Sequence, residues 1–252
     1  MSFSSKKLFV VGAGPGDPEL LTIKALNIVK NANVILYDNL INKDILEFSD
    51  ANCIKRYVGK DPSGNYVPQE EINNLILNYC ARYDVVVRLK GGDPYLFGRG
   101  FEEWSIAKQQ GIEISYVPGI SSMQGAGMSD IPLTHRGVSE GVWALTGMKR
   151  DGSLSADLQL AVQSKSTVVI YMGMQKLDEI ARMYVMNGKG DMPAAIIQHA
   201  TCSQERKVLC KVADLLKASR QHGLGHPAII VIGEVVNLQH VLTIDTDHRH
   251  VI

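Results

Sequence analysis

The stretch Leu8-Phe9-Val10-Val11-Gly12-Ala13-Gly14-Pro15-Gly16-Asp17 decides how the chain begins to fold. Its apolar half, residues 8–11, has the length of a buried strand, and its glycine-rich half has the composition of a tight turn. Asp17 and Pro18 then predict the start of a helix, since aspartate is favoured at the N-cap and proline at the first helical position. A strand, a glycine loop and a helix in this order are typical of a site where a ligand contacts backbone N–H groups.

The rest of the chain repeats this alternation of strand and helix. Apolar runs predict further strands at residues 34–37, 85–89, 112–117, 143–145, 168–172, 194–197 and 228–232. Helical patterns cover residues 68–82, 101–110 and 177–187. The first helix is expected to bury an apolar face made of Leu20, Leu21, Ile23, Leu26 and Ile28. The alternation predicts an α/β protein whose strands are largely parallel and covered on both faces.

Composition and length describe an ordinary globular protein. The 252 residues include 26 Lys and Arg against 26 Asp and Glu, so a general electrostatic attraction to nucleic acid or membrane is disfavoured. The length suggests one large or two modest domains. Pro118-Gly119-Ile120-Ser121-Ser122 follows a predicted strand and opens a stretch of small residues. We therefore divide the chain into domains at residues 1–119 and 120–244, with a polar tail at residues 245–252.

The cysteines and the apolar runs predict where the protein resides. Cys53, Cys80, Cys202 and Cys210 form no C-x-x-C pair and have no metal-ligand spacing, so we expect reduced thiols and no metal site. The first apolar run stops at Gly12, too early for a signal peptide, and glycine and proline interrupt the longest uncharged stretch. A cytoplasmic protein is the expectation.

The first glycine loop leaves two interpretations open. It departs from the dinucleotide fingerprint G-x-G-x-x-G, because Asp17 stands where the third glycine belongs and its carboxylate would repel a pyrophosphate. Asp38, however, lies where dinucleotide-binding folds place the acid that binds a ribose hydroxyl, so an NAD-dependent oxidoreductase stays possible. A tight turn with an acidic N-cap explains the same residues with no ligand at all.

A second glycine loop follows the strongest predicted strand. Lys90-Gly91-Gly92-Asp93-Pro94-Tyr95-Leu96-Phe97-Gly98-Arg99-Gly100 contains four glycines and one proline in eleven residues, which indicates a backbone bent to a special shape. Open α/β sheets bind ligands at the carboxyl ends of their strands. Two such loops after two strands therefore favour a ligand site over a pair of plain turns.

These segments together resemble the tetrapyrrole methylase family, and the likeness runs from about residue 8 to residue 236. The matching segments are residues 11–22, 36–38, 67–73, GGDPYLFGRG at 91–100 with Glu102 and Glu103, PGISS at 118–122, IPLTHR at 131–136, and residues 233–236. The resemblance implies two α/β domains with the active site in the cleft between them. It further implies a homodimer, with no nucleic acid or membrane as partner.

The activity implied by the resemblance is methyl transfer from S-adenosyl-L-methionine to pyrrole carbons of uroporphyrinogen III. Two successive transfers would give precorrin-2, on the route to sirohaem and cobalamin, with S-adenosyl-L-homocysteine as the other product. A later precorrin methyltransferase of the same family is the nearest alternative. A non-catalytic binding module is a more distant one, disfavoured because both Asp38 and Lys60 are retained.

The resemblance also implies roles for particular residues. Asp38 would be the proton acceptor and Lys60 the proton donor, although without the resemblance both have ordinary structural readings. The positions implied for methyl-donor binding are Pro15, Gly91, Gly92, Asp93, Leu96, Ser121, Ser122, Met172 and Ala200.

The tetrapyrrole substrate carries eight carboxylates, so cationic groups should line its site. Arginine pairs a carboxylate through two parallel hydrogen bonds, and we expect Arg99, His135 and Arg136 to bind the substrate, with Lys60 nearby. Each of these could equally be a surface partner of Glu102, Glu103 or Asp130. Arg88, within an apolar strand, is predicted to be structural. The chain departs from the family pattern at Asp61, Phe101, Asp130, Met148 and Ala200.

Overall fold

A computed structural model of the chain describes residues 7–60 and 67–238. The described residues form two units, which divide between Ser121 and Ser122, and each contains its own five-stranded sheet. The predicted α/β class, with two α/β units, is thereby confirmed. The domain limits at residues 119 and 120 stay a prediction, and the tail expected at residues 245–252 lies outside the described residues.

The first unit contains a fully parallel sheet with the strand order β3-β2-β4-β1-β5. Its strands are β1 (Lys7–Gly12), β2 (Val34–Tyr37), β3 (Ile54–Tyr57), β4 (Val85–Lys90) and β5 (Glu113–Val117). Its helices are α1 (Ile23–Lys30), α2 (Gln69–Cys80) and α3 (Gly100–Gln109). All the carboxyl ends of these strands lie at one edge of the sheet.

Both faces of this sheet are covered, as the apolar strands predict. Phe9 and Val11 of β1 pack in one hydrophobic cluster, whereas Leu8 and Val10 pack in another. Alternate residues of a strand point to opposite faces of a sheet, so a strand without polar alternation must be buried on both.

The prediction for the first helix is wrong in its start and only partly correct in its face. Asp17 does cap a helical turn, accepting a hydrogen bond from the Glu19 N–H, but that turn is a short 3-10 helix that ends at Leu20. The α-helix begins only at Ile23, where Thr22 is the N-cap. Of the predicted face, Ile28 is buried and Ile23 is 79% exposed, and α1 also buries Ala25 and Val29.

The second unit has the strand order β6-β7-β10-β8-β9. Its strands are β6 (Val142–Thr146), β7 (Thr167–Tyr171), β8 (Pro193–Gln198), β9 (Arg206–Lys211) and β10 (Ala228–Ile232), and its helices are α4 (Gly125–Met128), α5 (Asp157–Gln163), α6 (Leu177–Met186) and α7 (Leu215–Gln221). Only β6 and β7 pair in parallel, and the other three pairings are antiparallel. The expectation of largely parallel strands is therefore wrong here.

Two strands have no counterpart in the sequence prediction. Both β3 and β9 lie at sheet edges. All four residues of β3 are exposed, and β9 begins and ends with exposed basic residues. An edge strand needs no continuous apolar run, so its sequence gives a weak signal. The longest helix within the described ranges, α2, has 12 residues, fewer than the about 20 that cross a membrane.

Candidate active site

Three loops meet at the carboxyl edge of the first sheet, following the adjacent strands β4, β1 and β5. The loops after β1 and β4 are joined by a pair of backbone hydrogen bonds. The Gly14 N–H donates to the Gly92 oxygen at 3.3 Å, and the Gly92 N–H donates to the Gly14 oxygen at 2.7 Å. The two glycine motifs recognised separately in the sequence therefore form one structure.

The third loop, after β5, packs so closely against the other two that side chains are excluded. A Cβ placed on Gly119 would lie 2.2 Å from the Gly92 oxygen, and one on Gly12 would lie 2.5 Å from the Gly119 Cα. Both distances are far below van der Waals contact. The contacted atoms belong to the backbone, which has little room to move. Glycine at positions 12 and 119 is thus required by the close approach of three backbones.

Asp93 fixes this arrangement through both carboxylate oxygens. Its Oδ2 accepts hydrogen bonds from the Tyr116 hydroxyl at 2.5 Å and the Gly119 N–H at 3.1 Å, while Oδ1 accepts from the Tyr95 N–H at 2.8 Å. The rings of Tyr95 and Tyr116 stack with centroids 4.0 Å apart. Burial, together with the Asp93 carboxylate, raises the pKa of Tyr116, so its hydroxyl stays a donor. Asp93 therefore ties the β4 loop to the β5 loop.

Asp38 lies at the same edge of the sheet, directly after β2. Its Oδ1 accepts a hydrogen bond from the Leu40 N–H at 3.1 Å. A Cβ on Gly91 would lie 2.8 Å from the Leu40 Cβ, so the turn held by Asp38 packs directly on the second glycine loop. Four successive strands of the sheet thus contribute residues to this edge.

The other oxygen of Asp38 belongs to a network of buried charges. Arg88 Nη2 donates to Asp38 Oδ2 at 3.1 Å, and Arg88 Nε donates to Glu103 Oε1 at 3.1 Å. Lys90 Nζ lies 3.7 Å from Glu103 Oε2, and Gln69 donates to Glu103 Oε1. Burial, with Arg88 nearby, lowers the pKa of Lys90, an effect that Glu103 and Asp38 oppose.

The sequence prediction missed the part that this network plays. Arg88 was expected to be structural, yet it contacts the candidate base Asp38 directly. Glu103 was considered a surface ion-pair partner, and that expectation is wrong, since Glu103 is 1% exposed and its partners are Arg88 and Lys90. Charged residues inside the apolar strand β4 were the available signal, because a buried charge requires a buried partner.

The remaining residues of the first unit that the sequence predicts for the site differ in their exposure to solvent. Pro15 and Leu96 are partly exposed in the loops after β1 and β4. Ser121 is buried two residues beyond Gly119. Lys60 and Arg99 are exposed, and Lys60 is the last described residue before the gap at 61–66.

The second unit carries the other predicted residues, in loops with strained backbones. Met172 follows β7 directly, so the strand predicted at residues 168–172 extends one residue too far, and Met172 has φ +54°. Ala200 is buried between His199 and Thr201, which both have positive φ. Ser122 is partly exposed, and His135 and Arg136 are exposed, with His135 Nδ1 2.9 Å from the Arg136 oxygen.

Glu205 holds the loop that contains Ala200. Its Oε2 accepts a hydrogen bond from the Thr201 N–H at 2.7 Å, and its Oε1 accepts one from the Ser129 hydroxyl. Asp130, next to Ser129, has φ +61°, which accounts for the glycine that the family pattern has at this position.

Comparison with known proteins identifies the class to which this arrangement belongs. The family described as Tetrapyrrole (Corrin/Porphyrin) Methylases matches residues 7–216. That match covers most of the chain and includes the loops after β1, β4 and β5. The chain belongs to the tetrapyrrole methylase family.

Similarity to individual relatives is more informative about the reaction than the family match. The chain is 40% identical to the uroporphyrinogen-III C-methyltransferase of Bacillus subtilis over 94% of this chain and 93% of that protein. It is 41% identical to the siroheme synthase of Chromobacterium violaceum over 92% of its own length, but spans only about half of that longer protein. Uroporphyrin-III C-methyl transferase from Thermus thermophilus, in a crystal structure with S-adenyl homocysteine, matches with a TM-score of 0.80 and 36% identity over 92% of this chain and 99% of that one. These similarities disfavour the NAD-dependent oxidoreductase.

Proposed function

We propose that this protein is a methyltransferase that converts uroporphyrinogen III to precorrin-2, using S-adenosyl-L-methionine in two successive methylations. The observation that carries the proposal is the packing of three glycine-bearing loops at the carboxyl edge of the β4-β1-β5 strands. Open parallel sheets bind their ligands at this edge. The similarity to uroporphyrinogen-III C-methyltransferases over nearly the whole chain supports the choice of reaction.

The residues of the first unit suit a methyl donor with an adenosyl group and an amino-acid tail. Gly91 and Gly92 are partly exposed and carry no side chain, so the ligand can approach main-chain N–H and C=O groups. Pro15, Leu96 and Ser121 belong to the same three loops. Asp93 is partly exposed, and each carboxylate oxygen has two lone-pair directions, so it can accept from the ligand while holding Tyr116 and Gly119. The part of Ser122, Met172 and Ala200 in donor binding stays a prediction.

The transferred methyl group is activated by the sulfonium of the bound donor. The chain's own task is to hold the two reactants at attack distance and to remove a proton from the macrocycle. The assignment of this step to Asp38 is supported by its position, because Leu40 and Arg88 fix its carboxylate at the edge where the loops meet. Lys60 is proposed as the proton donor and is exposed, three residues after the end of β3.

The substrate's carboxylates require cationic partners, for which Arg99, His135 and Arg136 are the candidates. All three side chains are exposed, and within the described residues none of them forms an ion pair with a carboxylate. They are therefore suited to bind acidic groups from solution.

A homodimer is part of the proposal, and light scattering that reports a single chain's mass at micromolar concentration would contradict it.

The reaction is tested by anaerobic incubation of the protein with uroporphyrinogen III and S-adenosyl-L-methionine. Mass spectrometry of the macrocycle should show one and then two added methyl groups. An incubation without the donor is the control. A protein that leaves uroporphyrinogen III unchanged but methylates a later precorrin contradicts the proposed substrate.

A further inference from the structure

The buried charges of the first unit connect Asp38, through Arg88, to Glu103 on α3. The Arg88 guanidinium donates from Nη2 to Asp38, from Nε to Glu103 and from Nη1 to the Leu89 oxygen at 2.8 Å. Arg88 is 3% exposed and Glu103, on α3, is 1% exposed. The guanidinium plane is therefore held by three hydrogen bonds, and Glu103 supplies the one that Nε donates.

Stability alone is a weak explanation for Glu103. A buried carboxylate is costly unless it is both paired and fully hydrogen-bonded, and buried ion pairs often contribute little net stability. Glu103 Oε2 has no hydrogen-bond partner among the described residues, and Lys90 Nζ lies 3.7 Å away. The buried Glu103 carboxylate pairs with Arg88, and Arg88 in turn pairs with Asp38. This chain of contacts indicates that Glu103 helps to orient the Asp38 carboxylate.

We propose that Glu103 is a positioning residue, which holds Arg88 so that Arg88 holds the Asp38 carboxylate in the orientation that proton removal requires. The inference rests on the proposed function, because it takes Asp38 as the proton acceptor. Glu103 touches no reactant and acts only through Arg88.

A double-mutant cycle separates this role from a purely structural one. Glu103→Gln keeps the shape of the side chain and an oxygen acceptor for Arg88 Nε but removes the charge. We expect kcat to fall by about 10²-fold, the cost of slight misplacement of a reacting group, with KM for both substrates changed by less than about twofold. In an Asp38→Asn background, the same change should alter kcat by less than about twofold.

Two further variants serve as controls for this interpretation. Glu102→Gln makes the same chemical change at the neighbouring position of α3, where the side chain is exposed, and should leave kcat unchanged. The pair Lys90→Met with Glu103→Gln removes one buried charge of each sign, so it preserves the net charge and should lower kcat as Glu103→Gln does. Equal loss of rate in the wild-type and Asp38→Asn backgrounds would overturn the proposal.

A measurement independent of turnover keeps this proposal distinct from the proposed function. In ¹⁵N NMR, the Arg88 Nε–H signal, assigned by its absence in Arg88→Lys, should exchange slowly with solvent in the wild-type protein and rapidly in Glu103→Ala, which removes the acceptor of that N–H. Glu102→Ala should leave it slow. Slow exchange in Glu103→Ala would overturn the positioning role whatever the activity, whereas a wild-type protein that methylates no uroporphyrinogen III contradicts the proposed function alone.

Discussion

Asp38 is the residue whose chemistry the proposed reaction depends on most. Asp38→Asn preserves size and an acceptor for the Leu40 N–H, but an amide cannot take up a proton. Methyl transfer should fall by about 10²- to 10⁴-fold, the usual contribution of a general base, in anaerobic assays read by mass spectrometry. The affinity for S-adenosyl-L-homocysteine, measured by calorimetry, should stay within about twofold. Weakened binding with an unchanged rate in the bound state would instead indicate that Asp38 contacts a cofactor.

Gly119 tests the close packing of the loops. In Gly119→Ala, the new Cβ would lie 2.2 Å from the Gly92 oxygen, so the β4 and β5 loops must separate. We expect a loss of about 1–3 kcal/mol of unfolding free energy and at least tenfold weaker binding of S-adenosyl-L-homocysteine.

Gly127→Ala is the matched control, because nothing lies within 4 Å of a Cβ at that exposed helical position. It should be neutral or stabilising by up to about 1 kcal/mol in urea unfolding. Equal effects of the two substitutions would contradict the packing argument.

At the same scale, the sequence predicted glycine positions better than charge pairs. A glycine loop is a local feature, visible in residues 12–16 and 91–100. The Arg88–Asp38 and Arg88–Glu103 pairs join residues 50 and 15 positions apart in the chain. The parallel sheet and α3 bring these residues together, so only the fold reveals that Arg88 touches Asp38.

Among the structural elements, the loop between β8 and β9 is tied by the Glu205 carboxylate. Glu205→Gln weakens the hydrogen bonds that the Thr201 N–H and the Ser129 hydroxyl donate to Glu205. We expect a loss of about 1–3 kcal/mol in urea unfolding, because hydrogen bonds to a charged acceptor are replaced by weaker ones. Glu140→Gln, at an exposed position of the same unit, is the control. A loss no larger than that of Glu140→Gln would show that Glu205 does not stabilise the loop.

The elements themselves were predictable in proportion to their burial. The strands β2 and β10 match their predicted limits, since buried apolar runs give a clear signal. The exposed edge strands β3 and β9 gave none. At the first helix, the signals at Asp17 and Pro18 were genuine but started only a 3-10 turn, and Thr22 was the cap of the α-helix. Two capping residues this close together cannot be ranked against each other from sequence alone.

For the whole molecule, buried weak acids make stability depend on alkaline pH. Burial raises the pKa of the Cys80 thiol to about 11 from an ordinary value of 9.0, and burial also raises the pKa of Tyr184. A group with a raised folded-state pKa stabilises the fold below its unfolded pKa and loses that contribution as pH rises toward the folded value. Lys90, with a lowered pKa, acts in the opposite direction, because raising the pH relieves the cost of burying its charge.

The unfolding free energy should therefore fall between pH 9 and 11, and Cys80 alone should account for about 2 kcal/mol of the decrease. In Cys80→Ala, the decrease should be smaller by that amount. Urea unfolding of the wild-type protein and of Cys80→Ala at roughly pH 8, 9, 10 and 11, which spans the titration, measures both decreases. The same slope in both proteins would contradict the burial of this thiol.

The central claim is that the glycine loops of the first unit bind a methyl donor. The most direct measurement is calorimetric titration of the wild-type protein with S-adenosyl-L-homocysteine and, side by side, with NAD. The account predicts saturable binding of S-adenosyl-L-homocysteine at about one per chain, lost in Gly119→Ala, and no heat of binding with NAD. Saturable binding of NAD without binding of S-adenosyl-L-homocysteine would contradict it.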